Sequence, residues 1–126
     1  MKLQILSLTI AGVLSAALLS TAAEGEDGPI KEAMKKYHKA PQGTDPVAKR
    51  AAQGKATKQE LKDLAEGYRK MAKAKPPQGD EASWKEKTAK IVAASTALER
   101  GEAGALDKYK EASNCKACHD VHKPKQ

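Results

Sequence analysis

The sequence predicts an all-α protein, an antiparallel bundle of four helices. Large aliphatic and aromatic residues recur at spacings of three and four along several segments, which is the period of a helix with one buried face. Capping residues stand at the start of these segments, and proline or glycine stands at their ends. The connections between the last three segments are short, which favours antiparallel neighbours.

The first predicted helix covers residues 30–40, with Asp27 as its cap and Pro41 ending it. Its predicted apolar face consists of Ile30, Met34, Tyr37 and His38. A loop with glycine and proline follows over residues 42–54. Within this loop, residues 45–52 are expected to form a brief turn of helix.

The second and third helices have clear start and stop signals. Thr57 and Glu60 predict a capping box at the start of the second helix, and Pro76 lies beyond its end. Asp80 is the predicted N-cap of the third helix, and Gly101 the glycine that closes it. The buried faces are predicted to consist of Leu61, Leu64, Tyr68 and Met71 in the second helix and Trp84, Thr88, Ile91, Ser95 and Leu98 in the third.

The fourth helix is predicted as one continuous element from residues 102–103 to about His122, with Pro124 after its end. It carries the two cysteines of the chain, in the pentapeptide Cys115-Lys116-Ala117-Cys118-His119. This spacing is the attachment signature of a c-type haem. On a helix, positions i, i+3 and i+4 lie on one side, so both thiols and the imidazole address one flat macrocycle. We therefore expect one haem c, with Cys115 and Cys118 as its thioether residues and His119 as the proximal iron ligand.

Two other uses of the cysteines remain open. A Cys-x-x-Cys pair also serves as a redox dithiol, although that use favours an α/β context that is not predicted here. A zinc site needs four ligands, and Cys115, Cys118, His119 and His122 could supply them. Because Cys118 and His119 are adjacent, their spacing is poor for a tetrahedral chelate.

The N-terminus has the pattern of a secretory signal peptide. Lys2 gives a positive start, residues 3–19 are uncharged and mostly apolar, and small residues precede Glu24. Cleavage after Ala23 would leave residues 24–126 as a monohaem cytochrome c domain in the periplasm, without stable membrane insertion. Retention of the segment as a membrane anchor is the alternative. Export fits the motif, because c-type haem is attached outside the cytoplasmic membrane.

Charge and composition limit the partners. The formal charge is +7, and it falls to +6 when Lys2 leaves with the signal. Lysines occur in every segment, which suits a solvated surface or docking onto acidic periplasmic redox proteins. Aromatic residues are too few and scattered for nucleic-acid stacking. A homodimer is left open. Large apolar residues are so few that we expect the haem to supply much of the core, and the haem-free chain to be molten or unfolded.

The haem motif on the last helix of a four-helix chain resembles the class II c-type cytochromes, the cytochrome c′ family with its low-spin relatives. Residues 105–123 carry the resemblance. Lys123 matches the family's basic position, while His122 stands where the family has an aromatic residue. The class I fold, by contrast, carries its haem motif near the N-terminus. The resemblance implies a periplasmic haem protein, often a homodimer, with either an open distal face or a methionine ligand from the first helix.

The distal iron ligand decides between functions. Met34 lies on the first helix, where the low-spin relatives have their ligand, although a methionine there is often only core. His38 is the rival ligand, and His122 is expected to be exposed at a fraying terminus. The leading expectation is an electron-transfer protein and not an enzyme. The alternative is a five-coordinate cytochrome c′ that binds nitric oxide or carbon monoxide. A peroxidase is disfavoured because no arginine is near His38 in sequence.

Overall fold

The computed structural model describes residues 28–125, and every regular element in that range is a helix. The six helices are α1 (Gly28–Tyr37), α2 (Val47–Ala52), α3 (Lys58–Lys73), α4 (Glu81–Glu99), α5 (Ala105–Ala112) and α6 (Cys115–His122). The predicted all-α class is confirmed. The predicted signal peptide, residues 1–23, and the cap at Asp27 lie outside the described residues.

Helix α1 starts two residues before the predicted segment and ends three residues earlier than predicted. His38 lies just beyond it, and its backbone N–H still donates to the carbonyl of Met34 at 3.2 Å. The fully buried residues of α1 are Ala33 and Tyr37, while Met34 and His38 are only partly buried. The short predicted helical turn is present as α2.

Helices α3 and α4 confirm their predicted caps. The Thr57 hydroxyl accepts a hydrogen bond from the Glu60 backbone N–H at 3.1 Å, and the Glu60 carboxylate accepts one from the Thr57 N–H at 2.8 Å. At the start of α4, the Asp80 carboxylate accepts from the Ser83 N–H at 3.0 Å. Gly101, with φ of +66°, follows the end of α4 as predicted. These caps satisfy orphan N–H groups of the first helical turns.

The prediction of one continuous fourth helix is wrong. The chain leaves helical geometry at Ser113 and Asn114, which separate α5 from α6. The Asn114 side chain caps α6 by accepting from the Ala117 N–H at 3.1 Å. Serine and asparagine side chains compete with helical backbone hydrogen bonds through such local contacts, which explains the break. The spacing of apolar residues carries no information about these polar contacts, so it did not predict the break.

The helices form an all-α assembly around one apolar core. Helix α3 packs along α4, α1 packs on α3, and α5 packs on α4. Helix α2 contacts both α3 and α5, and α6 lies against α4. The core consists of Ala33, Tyr37, Ala48, Ala51, Leu64, Tyr68, Met71, Trp84, Ile91, Ala94 and Tyr109. The described residues therefore form six helices, because the predicted short turn is present as α2 and the predicted fourth helix is divided into α5 and α6.

Within residues 28–125, no helix has both the length and the apolar character needed to cross a membrane.

Candidate functional site

The Cys-x-x-Cys-His motif forms the first turn and a half of α6. Cys115 is the first residue of the helix, directly after the Asn114 cap. Cys115 and His119 are exposed, and Cys118 is half-buried where it packs on the core. Both cysteines are free thiols. The three predicted attachment residues thus lie on one helix, and two of them are open to solvent.

The end of α6 is fixed by His122, and the expectation that this residue is exposed is wrong. His122 is only 2% exposed. Its Nδ1 lies 3.0 Å from the Gln78 carbonyl oxygen, and its Nε2 lies 3.2 Å from Ser83 Oγ. Because a carbonyl oxygen only accepts, Nδ1 carries the proton in a neutral ring, and Nε2 accepts from the serine hydroxyl. Ser83 Oγ in turn accepts from Lys87 Nζ at 2.7 Å.

The end of α6 is attached to the connection between α3 and α4 and to the first turn of α4. We call this attachment the α6 latch, and its residues are Gln78, Gly79, Ser83, Trp84 and His122. The Gln78 side-chain amide donates to the carbonyls of Val121 and Lys123, at 3.3 and 2.7 Å. The Trp84 ring meets the His122 ring edge-on at 5.3 Å. A Cβ at Gly79 would lie 2.7 Å from the Val121 carbonyl oxygen, so only glycine allows this approach. The latch holds the tail of α6 while its first turn stays accessible.

A second polar cluster, the His–Tyr–Tyr chain, consists of His38, Tyr68 and Tyr109. The Tyr68 hydroxyl lies 2.9 Å from His38 Nε2 and 3.0 Å from the Tyr109 hydroxyl. Tyr68 and Tyr109 are fully buried, and His38 is partly buried after the end of α1. The His–Tyr–Tyr chain of hydrogen bonds therefore links the end of α1, the middle of α3 and α5, the helix that leads into the cysteine motif.

Electrostatic interactions connect this chain to α6. Burial, and secondarily the positive charge of His119, lower the pKa of His38, which favours its neutral imidazole at pH 7. Burial raises the pKa of Tyr68 above its usual range and that of Tyr109 to about 12. The neighbouring Tyr109 hydroxyl raises the pKa of Tyr68 further, and Coulombic interaction with Cys115 contributes to both tyrosine shifts, so both phenols stay protonated. His119 and Cys115 thus share their surroundings with the His–Tyr–Tyr chain.

The other thiol has a different environment. Burial raises the pKa of Cys118, and the nearby Lys87 ammonium partly opposes this. The raised pKa keeps this half-buried side chain as a neutral thiol, which is a poorer nucleophile than a thiolate.

The candidate distal ligands lie one helical turn apart. Met34 is partly buried and packs against the core from α1. His38 follows four residues later, with its ring held by Tyr68. The structure thus links His38 through Tyr68 to Tyr109 on α5, the helix directly before α6.

Comparison with family models, curated proteins and solved structures finds no match for this chain.

The donor set fits a covalently attached haem better than zinc. Two unpaired thiols and an exposed imidazole on one helix match what thioether formation and axial ligation require. The fourth zinc ligand of the alternative interpretation would be His122, but both its ring nitrogens already have hydrogen-bond partners. Across residues 28–125, no three His, Cys, Asp or Glu side chains are grouped for metal binding.

Sequence reasoning missed the pairing of His38 with Tyr68 and the burial of His122. A signal for the first was present, because a buried tyrosine hydroxyl usually has a hydrogen-bond partner. Tyr68 was predicted on a buried face, so a polar partner on a neighbouring helix could have been sought. The second had no signal, since a histidine near a chain end is usually exposed.

Proposed function

We propose that this protein is an exported single-haem c-type cytochrome that carries electrons between periplasmic redox proteins. The observation that carries the proposal is the placement of Cys115, Cys118 and His119 on one capped helix whose first turn is open. When bound, the haem supplies a one-electron couple of its iron, and the protein sets its potential and access. No bond chemistry on a substrate is required of the chain, which is therefore proposed to be a carrier and not an enzyme.

Each part of the site has a task in this proposal. Cys115 and Cys118 would hold the haem through thioethers, and His119 would ligate its iron. Met34 and His38 are the candidates for a second protein ligand. The α6 latch keeps the proximal helix in one orientation, because the tail of α6 is hydrogen-bonded to the connection between α3 and α4. A rigid ligand environment limits reorganisation when the iron changes charge.

The location and partners belong to the same proposal. Residues 1–23 act as the export signal, and residues 24–126 form the mature periplasmic domain. Its positive charge would speed encounters with acidic redox partners. We place the protein with the class II c-type cytochromes as an all-α bundle with the haem on its last helix, and a homodimer is compatible with this placement.

The test is attachment of haem to the full chain expressed with a c-type haem maturation system. The expected result is one haem per chain that survives denaturing electrophoresis and shows a reversible one-electron redox titration. Cys115→Ser and Cys118→Ser should each weaken attachment, whereas Lys116→Ala, between them, should leave it unchanged. A chain that binds no covalent haem would contradict the proposal.

Carbon monoxide binding separates the electron carrier from the alternative. A six-coordinate carrier should be low-spin and react slowly with carbon monoxide in the ferrous state. A high-spin spectrum with ready binding would instead indicate a gas-binding protein of the cytochrome c′ type.

A further inference from the structure

The His–Tyr–Tyr chain is a largely buried polar group that reaches α5, the helix directly before the cysteine motif, and that takes no part in attaching α6. We propose that His38, rather than Met34, supplies the second axial nitrogen to the haem iron, and that Tyr68 is the positioning residue that orients the His38 ring. This inference rests on the proposed function, since it requires a haem on His119.

The position of His38 suits this role. It stands just after the end of α1, and its ring packs against the Tyr68 ring with centroids 5.8 Å apart. The Tyr68 hydroxyl holds one ring nitrogen, Nε2. Among the described residues, Nδ1 makes no hydrogen bond, so its lone pair is available for a metal in the tautomer that carries the proton on Nε2.

The hydrogen bond between His38 and Tyr68 is compatible with the pattern of a metal-binding histidine. Such a histidine usually donates its second N–H to a fixed acceptor, which sets the tautomer and the ring orientation. Here His38 Nε2–H would donate to the Tyr68 oxygen, and the Tyr68 hydroxyl would donate to Tyr109, 3.0 Å away. Tyr109 belongs to α5, the helix directly before α6. The distal ligand and the attachment helix are thereby tied to the same buried pair of phenols.

Met34 has no comparable support. Its side chain is partly buried in apolar contact with the core, which is the usual environment of a packing methionine. Because Met34 and His38 are four residues apart and the chain stays hydrogen-bonded between them, they occupy neighbouring positions along one side. Only one of the two side chains can bind a single iron on that side. Of the two, His38 is hydrogen-bonded through Tyr68 to Tyr109 on α5, the helix directly before His119.

The experiment compares ferric spectra of the holoprotein and three variants. The wild type should be low-spin and lack the far-red band of methionine–iron ligation. Met34→Leu, which keeps volume, should leave the spectrum unchanged. His38→Gly should become high-spin, and added imidazole should restore the low-spin spectrum. His38→Met should create the far-red band and raise the reduction potential, because Met/His ligation favours the ferrous state.

Tyr68→Phe tests the positioning role. It should shift the ferric paramagnetic resonance signal and the reduction potential of the wild type, but have little effect in the His38→Met background. A merely structural role of Tyr68 would give equal shifts in both backgrounds and would overturn this part of the inference.

Two results would overturn the assignment of His38. One is a low-spin spectrum that Met34→Leu abolishes, and the other is a His38→Gly spectrum identical to the wild type. In either case covalent haem would still be present, so the proposed function would stand. Absence of covalent haem in the wild type would instead overturn both.

Discussion

At Gly67, in the middle of α3, the ring of Tyr37 leaves no room for a side chain. A Cβ there would overlap the ring and lie 3.0 Å from its Cζ. We expect Gly67→Ala to destabilise the protein by about 1–3 kcal/mol through overpacking, although alanine is the better helix former. Urea unfolding of the holoprotein measures this. In a Tyr37→Leu background the same substitution should cost much less, and an equal cost there would contradict the steric explanation.

At His122, one side chain fastens the end of the proposed haem helix. His122→Phe keeps an aromatic ring against Trp84 but leaves the Gln78 carbonyl and Ser83 hydroxyl without their partner. An unsatisfied polar group costs about 1–3 kcal/mol when it is fully buried, and since these two groups are partly buried we expect a loss of about 1 kcal/mol in urea unfolding. Lys116→Ala, on the exposed side of the same helix, is the matched control and should change stability by less than about 0.5 kcal/mol. Equal effects of the two changes would show that the latch does not stabilise α6.

The contrast between His119 and His122 shows what a sequence reveals about single residues. The proposed role of His119 rests on its place in the Cys-x-x-Cys-His motif, which is a local spacing. His122 depends on Gln78, which lies 44 residues away in the sequence and meets it only in the folded chain. Long-range pairs of this kind follow from tertiary packing, and local patterns do not contain them.

Helix ends were predictable where their determinants are local. The capping box of Thr57 and Glu60 and the cap at Asp80 involve residues three apart, and both occur as predicted. The break before α6 was missed although Asn114 is also a local cap. There the helical spacing of apolar residues continues across the break, so periodicity predicts one helix where the local cap begins a second.

The start of α3 combines a cap with an ion pair. Thr57→Ala removes the hydroxyl that accepts from the Glu60 N–H, and we expect a loss of about 1 kcal/mol in urea unfolding. Thr57→Ser keeps the hydroxyl and should retain most of the stability. Equal losses in both variants would mean that the hydroxyl does not stabilise the helix.

Glu60 also makes this helix start sensitive to acid. Its pKa is lowered chiefly by the hydrogen bond from the Thr57 backbone N–H and then by Arg50, whose guanidinium donates at 2.6 Å. Because the pKa of Glu60 is lower in the folded chain than in the unfolded chain, the unfolded chain binds a proton at higher pH. The contribution of Glu60 to the free energy of unfolding is therefore fully present above the unfolded-state pKa. It is lost as the pH falls through the folded-state pKa. The melting temperature of the wild type should therefore fall more than that of Glu60→Gln between about pH 5 and pH 3. Parallel curves would contradict this.

Across the whole molecule, the all-α class was predictable because helical periodicity repeats over many residues. The arrangement was not, since it depends on which faces meet. The small residues of α1 and α2 are an example: Ala33, Ala48 and Ala51 are buried in the core, although no apolar pattern marked them. Small side chains let helices approach closely, and the large aromatic rings fill the remaining space.

The composition of this core leads to a prediction about the cofactor. Four of its eleven members are alanine, and the largest are tyrosine and tryptophan side chains whose polar atoms need partners. Such a core buries little apolar surface to offset the conformational entropy lost in folding. The proposed haem should therefore contribute much of the free energy of unfolding. We expect the full chain with Cys115→Ala and Cys118→Ala to have a weak near-UV circular dichroism signal and a broad, low-m urea transition. Lys116→Ala should behave as the wild-type holoprotein. A cooperative transition and a native-like near-UV signal in the doubly substituted chain would show that the helices fold without haem.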